Sequence, residues 1–187
     1  MYIVGPYLFT GDELDGYLKG RQAAALEAAR REKEEANDRA GADIVRAVFD
    51  RFSVPNTGMH IDKAFFVGER PLNDEECDAI AVRDEDKETY KAVTIAVPYS
   101  GDSHLFTCTP TIYSANQPQA EVKDGALYMT WFLAEVEEFQ LENNFKRTIA
   151  LIERTLEVTQ WQAMACNQEM MEALKAEVMG GTQAASG

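Results

Sequence analysis

Cysteine and histidine are scarce in this chain of 187 residues, which contains three Cys and two His. The cysteines, Cys77, Cys108 and Cys166, form an odd, scattered set without a Cys-x-x-Cys spacing. This pattern argues against a disulfide framework and against a structural zinc site. We therefore expect a protein of a reducing, cytoplasmic compartment that uses no cofactor.

Long apolar runs are missing as well. No stretch reaches the roughly 18 consecutive apolar residues that a membrane-spanning helix requires. The first residues, Met1 to Pro6, have no basic cluster, and their apolar run is too short for a signal peptide. We therefore expect neither a leader sequence nor a membrane-bound protein.

Basic residues are outnumbered, with 18 Lys and Arg against 32 Asp and Glu, so the net charge is -14. A field of this sign repels phosphate backbones and anionic membranes, so we expect no direct binding to nucleic acid. Solubility is one explanation of the acidity. The other is an acidic face that docks on a basic partner or imitates nucleic acid. The residues predicted for such a face are Asp74, Glu75, Glu76, Asp84, Glu85 and Asp86.

Catalytic motifs are absent too. The chain has no His-Glu-x-x-His spacing, no glycine-rich phosphate loop and no Gly-x-Ser-x-Gly. His104 and Cys108 are four residues apart, which suggests a thiol nucleophile with its base; the alternative is that Cys108 is a small structural residue of a strand. A metal site is a second hypothesis. Its candidate ligands are His60, His104, Asp62, Glu69 and Asp102.

The strongest pattern present is the apolar periodicity of residues 126–178. It opens with a predicted strand at 126–133, which follows the hairpin turn signal Asp124-Gly125. A helical seam then recurs at Phe145, Ile149, Ile152 and Leu156. Beyond it the apolar stripe is rotated, which predicts one long C-terminal helix that is either kinked or divided near 158–160.

A second long helix is predicted near the N-terminus, beginning at Gly11 or Asp12. Residues 28–39 are Ala, Glu, Arg, Lys, Asn and Asp, with no large apolar side chain to bury. We therefore expect 11–40 to be a helical arm that projects into solvent or lies against a partner. The last residues, 182–187, are expected to form a loose tail.

The middle of the chain is predicted to be rich in strands, at 61–67, 89–97 and 105–113, with 84–86 at a hairpin tip. The predicted fold is one α+β domain over 1–181. It consists of an antiparallel meander of about four or five strands, packed against the two long helices.

We favour a non-enzymatic interaction or assembly protein, either a homo-oligomer or a subunit of a larger particle of the viral or phage type. The predicted contact residues on the last helix are Trp161, Met164, Met171, Leu174 and Val178. One alternative is an acidic inhibitor or nucleic-acid mimic. Another is an enzyme or small-ligand protein with a pocket between sheet and helices. Candidate residues for that pocket are Tyr90, Tyr99, Tyr113 and Tyr128, with His60 or His104.

Overall fold

The computed structural model describes residues 1–35, 40–111 and 117–180. The strands are β1 (Tyr2–Val4), β2 (Gly58–Met59), β3 (Phe65–Pro71), β4 (Tyr90–Ser100), β5 (Glu121–Lys123) and β6 (Ala126–Ala134). The α-helices are α1 (Leu14–Glu35), α2 (Gly41–Phe52), α3 (Asp74–Ala79), α4 (His104–Thr107) and α5 (Leu141–Met179). Short 3-10 helices cover Ile61–Lys63, Asp84–Thr89 and Glu135–Gln140.

β4 and β6 form the centre of the sheet as a long antiparallel pair, with Tyr90 opposite Ala134 at one end and Pro98 opposite Ala126 at the other. β3 and β2 pair with the outer edge of β4, whereas β1 and β5 share the outer edge of β6. The predicted α+β class and antiparallel sheet are therefore confirmed. The strand order differs from that of a simple meander, because β6 lies between β4 and β5.

The predicted turn at Asp124-Gly125 joins β5 to β6. Both residues have a positive φ, 49° for Asp124 and 75° for Gly125. Two consecutive residues in this conformation match the right-handed twist of a two-residue hairpin, which explains the Asp-Gly sequence. This hairpin places the central strand β6 beside its edge partner.

One apolar face of the sheet packs against the first half of α5. Alternate residues of β6 point to this face, and they include Met129 and Trp131, which are almost completely buried. Ile149, Ile152 and Leu156 of α5 belong to the same cluster, and the Trp131 and Phe145 rings meet edge to face at 6.2 Å. We call this cluster the sheet core.

A second apolar cluster lies further along α5, where the helix leaves the sheet. Its buried residues are Ala25 and Ala29 of α1, Ile44, Val45 and Val48 of α2, and Met170, Leu174 and Val178 of α5. We call it the helical core. It corrects the expectation of a free arm over 11–40, because the described part of α1 packs against α2 and α5. Alanine allows helices to approach closely, so a stretch without large side chains still forms an interface here.

α5 is one continuous helix, so the alternative of a helical hairpin divided near 158–160 is wrong. Thr159, at that position, is fully buried, and its Oγ1 donates a hydrogen bond to the Leu156 carbonyl at 2.9 Å. The rotation of the apolar stripe has a different cause. The first half of the helix faces the sheet, and the second half faces α1 and α2.

Among the described residues, no helix has both the length and the apolar content needed to cross a membrane.

Two local predictions need correction. The predicted strand at 105–113 begins instead with the single turn α4, and its residues 112–113 lie outside the described ranges. Thr109 then holds the N-terminus of α1, since its carbonyl accepts from the Leu14 amide at 3.0 Å. The helix therefore begins at Leu14, later than Gly11 or Asp12. Residues 36–39 and the predicted tail at 182–187 also lie outside the described residues.

Candidate functional site

The most exposed apolar segment of a strand is Phe65, Phe66 and Val67 in β3, which we call the edge surface. These side chains are 47%, 61% and 48% exposed. Within the described ranges, β3 pairs with β4 alone, so its other edge is open. The strand predicted at 61–67 overlaps β3 only at 65–67, because Ile61–Lys63 is a 3-10 helix and β3 continues to Pro71, and its position at a sheet edge was not predicted. An edge position depends on which strands pair, and no local pattern of apolar residues reports that.

Charged residues flank the edge surface on both sides. Asp62 and Lys63 precede it in the 3-10 helix, Glu69 and Arg70 follow it in β3, and all four are exposed. Lys91 bonds the Glu69 carboxylate at 2.8 Å, and the Arg70 guanidinium donates to both carboxylate oxygens of Glu76. The edge surface is thus an apolar patch between two locally balanced pairs of charges.

The predicted contact residues of α5 separate into two groups. Trp161 and Met164 are 67% and 61% exposed and, being three apart, share one face of the helix. We call them the helix surface. Leu174 and Val178 are buried in the helical core, and Met171 packs against it. The prediction of a partner contact is therefore wrong for Leu174 and Val178, because α1 and α2 of the same chain occupy that face.

The two predicted acidic triplets, Asp74 to Glu76 and Asp84 to Asp86, are brought together by one lysine. Lys87 Nζ lies 3.3 Å from Asp74 Oδ1 and 2.9 Å from Asp84 Oδ1. The hydrogen bonds that Lys87 donates to Asp84 and Asp74 raise its pKa. We call the six carboxylates the acidic surface. Lys87, with Arg70 at Glu76 and Arg83 at Glu85, offsets part of its charge.

The local fold around the acidic surface differs from the predicted hairpin tip at 84–86, which is a 3-10 helix. Asn73 starts α3 with a capping box: its Oδ1 accepts from the Glu76 amide at 2.8 Å, and Glu76 Oε2 accepts from the Asn73 amide at 3.0 Å. This box ends the extended run of β3 and turns the following acidic residues into a helix. The hydrogen bond from Arg70 is the main cause that lowers the pKa of Glu76.

A cluster of four polar side chains, of which His104 is exposed and the others are partly buried, is centred on Asp102, directly after β4. Tyr17 Oη donates to Asp102 Oδ2 at 2.5 Å, and the His104 amide and Nδ1 reach Oδ1 at 3.0 and 2.9 Å. Arg21 Nη1 lies 3.8 Å from Oδ2, and the His104 ring stacks on Tyr17 with centroids 4.7 Å apart. We call these four residues the polar joint, because they link α1 to the loop between β4 and α4.

The polar joint shifts the pKa values of two of its members. Burial alone would raise the pKa of Asp102, but hydrogen bonds from Tyr17 and from His104 lower it overall. Burial, together with the Asp102 carboxylate, raises the pKa of Tyr17 to about 12. Asp102 therefore remains ionised and Tyr17 remains neutral at neutral pH, which preserves the hydrogen bond between them.

The chemical capacity of the polar joint is limited. A carboxylate that bonds an imidazole, as Asp102 bonds His104, can orient the ring to act as a general base. His104 also borders an open groove of about 480 Å³. Arg21, however, already donates to the Phe52 and Ser53 carbonyls, so it is engaged structurally. The hypothesis of a Cys108 nucleophile is not supported, because the thiol is buried and burial raises its pKa.

The tyrosines predicted to line one pocket do not converge. Tyr90 and Tyr128 border separate grooves of about 260 and 210 Å³, and Tyr99 packs on Phe106 at 5.0 Å. Tyr113 lies outside the described residues. In the part of the chain that the structure describes, no group of three or more His, Cys, Asp or Glu side chains is arranged to hold a metal ion.

Comparisons with models of known protein families, with curated proteins and with solved structures found no match to this chain.

Proposed function

We propose that this chain is a non-enzymatic interaction protein that acts through protein–protein contacts. The observation that carries the proposal is the edge surface, three consecutive exposed apolar residues on an open sheet edge. Burying a Phe side chain is favourable by about 1.5–3 kcal/mol. A partner that covers both exposed Phe side chains would therefore gain binding free energy from each. Exposed apolar patches with a charged rim are typical of protein interaction sites.

The helix surface supports the proposal as a second contact. Trp is among the residues most enriched in interface hot spots, and Met adapts well to irregular partners. From the acidic composition and the amphipathic helices we infer that the chain works either as a homo-oligomer or as a subunit of a larger particle of the viral or phage type. Because Cys77, Cys108 and Cys166 are all unpaired thiols, a reducing cytoplasm is the compartment that we propose.

A second candidate function is docking of the acidic surface on a basic partner, as an inhibitor or nucleic-acid mimic does. The observation in its favour is that both acidic triplets lie around Lys87. Such binding should weaken steeply as salt is raised, because it depends on exposed charges. Asp84→Asn with Glu85→Gln should weaken it, whereas Asp50→Asn on α2 should not. Binding that is insensitive to salt would exclude this function.

Photo-cross-linking in the cells that produce the protein tests the main proposal. A photoreactive residue replaces Phe66 in one variant and Trp161 in another, and Arg46 on α2, whose side chain is 86% exposed, serves as the control position. We expect protein adducts at 66 and at 161 in clear excess over 46. If neither position exceeds the control, these surfaces do not contact proteins and the proposal fails.

A further inference from the structure

The two most exposed large apolar side chains of the described residues lie in the 3-10 helix between β6 and α5. Val136 is 81% exposed and Phe139 is 76% exposed, whereas the next most exposed, Trp161, is 67% exposed. Residues three apart in a 3-10 helix lie above one another, so Val136 and Phe139 form one apolar strip. We call these two residues the apolar ridge.

The same three-residue period divides the glutamates of this 3-10 helix between two faces. Glu137 is engaged within the fold, because its carboxylate meets the Met1 amino group at 2.7 Å and the Ala134 amide at 3.0 Å. Glu135 and Glu138 share another face, and both are exposed. The anchored Glu137 fixes the rotation of the turn, so the apolar ridge and the two exposed carboxylates are held side by side.

A groove of about 260 Å³ lies next to the apolar ridge, at the end of the sheet. Glu69, Glu88, Lys91 and Glu135 are among the residues that line it. Glu138 is connected to this groove through Lys91, whose Nζ lies 2.6 Å from the Glu138 carboxylate and 2.8 Å from the Glu69 carboxylate. We call the groove, with its four glutamates, the acidic groove.

The acidic groove stays negative when its internal ion pairs are taken into account. Lys91 is shared by two of the four carboxylates, and Arg70, the other cation at the groove, already donates to both carboxylate oxygens of Glu76. Glu88 and Glu135 form no ion pair within the part of the chain that the structure describes. Two carboxylates are therefore available to a cation from outside.

We propose that the apolar ridge and the acidic groove together bind a basic segment of a partner protein, in which Lys or Arg lies next to large apolar side chains. The cation enters the acidic groove, and the apolar side chains cover the ridge. This inference rests on the proposed function, adds a surface to it and names the chemistry of the partner. None of these residues belongs to the edge surface, the helix surface or the acidic surface.

The choice of partner follows from charge complementarity. A second copy of this chain, which has a net charge of -14, would bring a negative surface to a negative groove. An uncharged apolar partner would cover the ridge but would leave the neighbouring carboxylates partly desolvated and without a cation. A basic segment with apolar side chains satisfies both parts of the surface.

Titration with synthetic peptides tests the proposal on the purified full chain. The probe is a short peptide of alternating leucine and arginine, and two comparison peptides replace either the leucines or the arginines by serine. We expect the leucine–arginine peptide to bind most tightly and to shift the NMR signals of residues 88–91 and 135–139. A comparison peptide that binds as tightly as the probe, or shifts centred elsewhere, would overturn the inference.

Removal of the apolar ridge tests the apolar half of the contact. Val136→Ser combined with Phe139→Ser should weaken binding of the leucine–arginine peptide by about tenfold or more, because burial of each side chain is favourable by about 1.5–3 kcal/mol. Both positions are highly exposed, so the fold should be kept. Tyr7→Ser, at a side chain that is 58% exposed, is the matched control and should leave binding unchanged. Equal losses in the two variants would contradict the proposal.

Neutralising the acidic groove tests the other half. Glu88→Gln combined with Glu135→Gln removes two unpaired carboxylates at nearly constant shape, and binding of the same peptide should weaken about fivefold at low salt. The effect should disappear at high salt. Asp84→Asn combined with Glu85→Gln makes the same change in net charge on the acidic surface, and its effect should be clearly smaller. If both double variants weaken binding equally, only the overall charge matters and the inference fails.

Photo-cross-linking in cells identifies the natural partner segment. With a photoreactive residue in place of Phe139, mass spectrometry of the adduct should find a peptide with Lys or Arg beside apolar residues. An acidic peptide, or a peptide of this chain itself, would overturn the inference. Failure here is distinguishable from failure of the proposed function. Adducts at 66 and 161, without binding at the ridge, would remove this inference alone, and the absence of adducts at all three positions would remove both.

Discussion

The sheet core and the helical core are stabilised in different ways, although α5 belongs to both. The sheet core is built from large side chains, and Trp131, Phe106 and Met129 are almost completely buried in it. The contribution of α1 to the helical core is small, since Ala25 and Ala29 are its fully buried residues there. The first half of α5 thus packs against large side chains of the sheet, and its second half packs closely against α1 and α2. The sheet core should therefore set the overall stability, and the helical core should open more easily.

Truncating the largest buried side chain is the strongest way to test this comparison. Trp131→Ala removes an indole that is 1% exposed, and we expect the free energy of unfolding to fall by about 3–5 kcal/mol. Chemical denaturation measures this loss. Far-UV circular dichroism is the suitable signal, because the variant lacks the buried Trp131 and the remaining Trp161 is 67% exposed. A variant with unchanged stability would show that the sheet core is not dominant.

The large side chains of the sheet core could be predicted from the sequence, because strand alternation and helical spacing are local patterns. The apolar face of β6, the turn at Asp124-Gly125 and the existence of α5 all follow from such patterns. The interface of α1 was not predicted, because Ala25 and Ala29 lie in a stretch rich in charged residues and without large apolar side chains. Small alanine side chains nevertheless permit close packing of helices. α4 was mistaken for a strand, because its first amide, that of His104, is bonded by the side chain of Asp102 two residues earlier, at 3.0 Å. The edge surface could not be found, since its exposure depends on distant strands.

Truncation in the helical core should have a smaller and more local effect. Leu174 is fully buried, and Leu174→Ala should lower the free energy of unfolding by about 2–4 kcal/mol. Hydrogen exchange locates the effect. Amides of α2 and of the last turns of α5 should exchange faster, while those of β4 and β6 keep their protection. Uniform acceleration along the whole chain would mean that the two cores unfold as one unit.

The close packing of α1 predicts that enlarging an alanine is harmful at one position and harmless beside it. Ala29→Leu inserts extra carbon atoms where the residue is completely buried, and should cost about 1–3 kcal/mol. Ala24→Leu, five residues earlier on the exposed side of α1, is the matched control and should change stability by less than about 0.5 kcal/mol. Thermal melts of both variants measure the difference. Equal effects would show that the described interface of α1 is loose.

The polar joint ties α1 to the loop that follows β4, where the two cores meet, and it should make the smallest contribution. Asp102→Asn keeps an acceptor oxygen but loses the charge, so we expect a loss of about 1–2 kcal/mol at neutral pH. The pKa of Asp102 is lowered in the folded protein, so its stabilisation is present above the unfolded-state value near 4. It is lost as the pH falls through the lower folded value.

Denaturation at a series of pH values tests this account of the joint. The difference in stability between the unmodified protein and Asp102→Asn should shrink as the solution is acidified, because the native carboxylate then becomes neutral as well. Asp50→Asn, at a carboxylate whose side chain is 69% exposed, should show no such change. A difference that stays constant down to acid pH would mean that the joint acts through shape alone. The contact between α1 and the loop after β4 would then be held by packing and neutral hydrogen bonds.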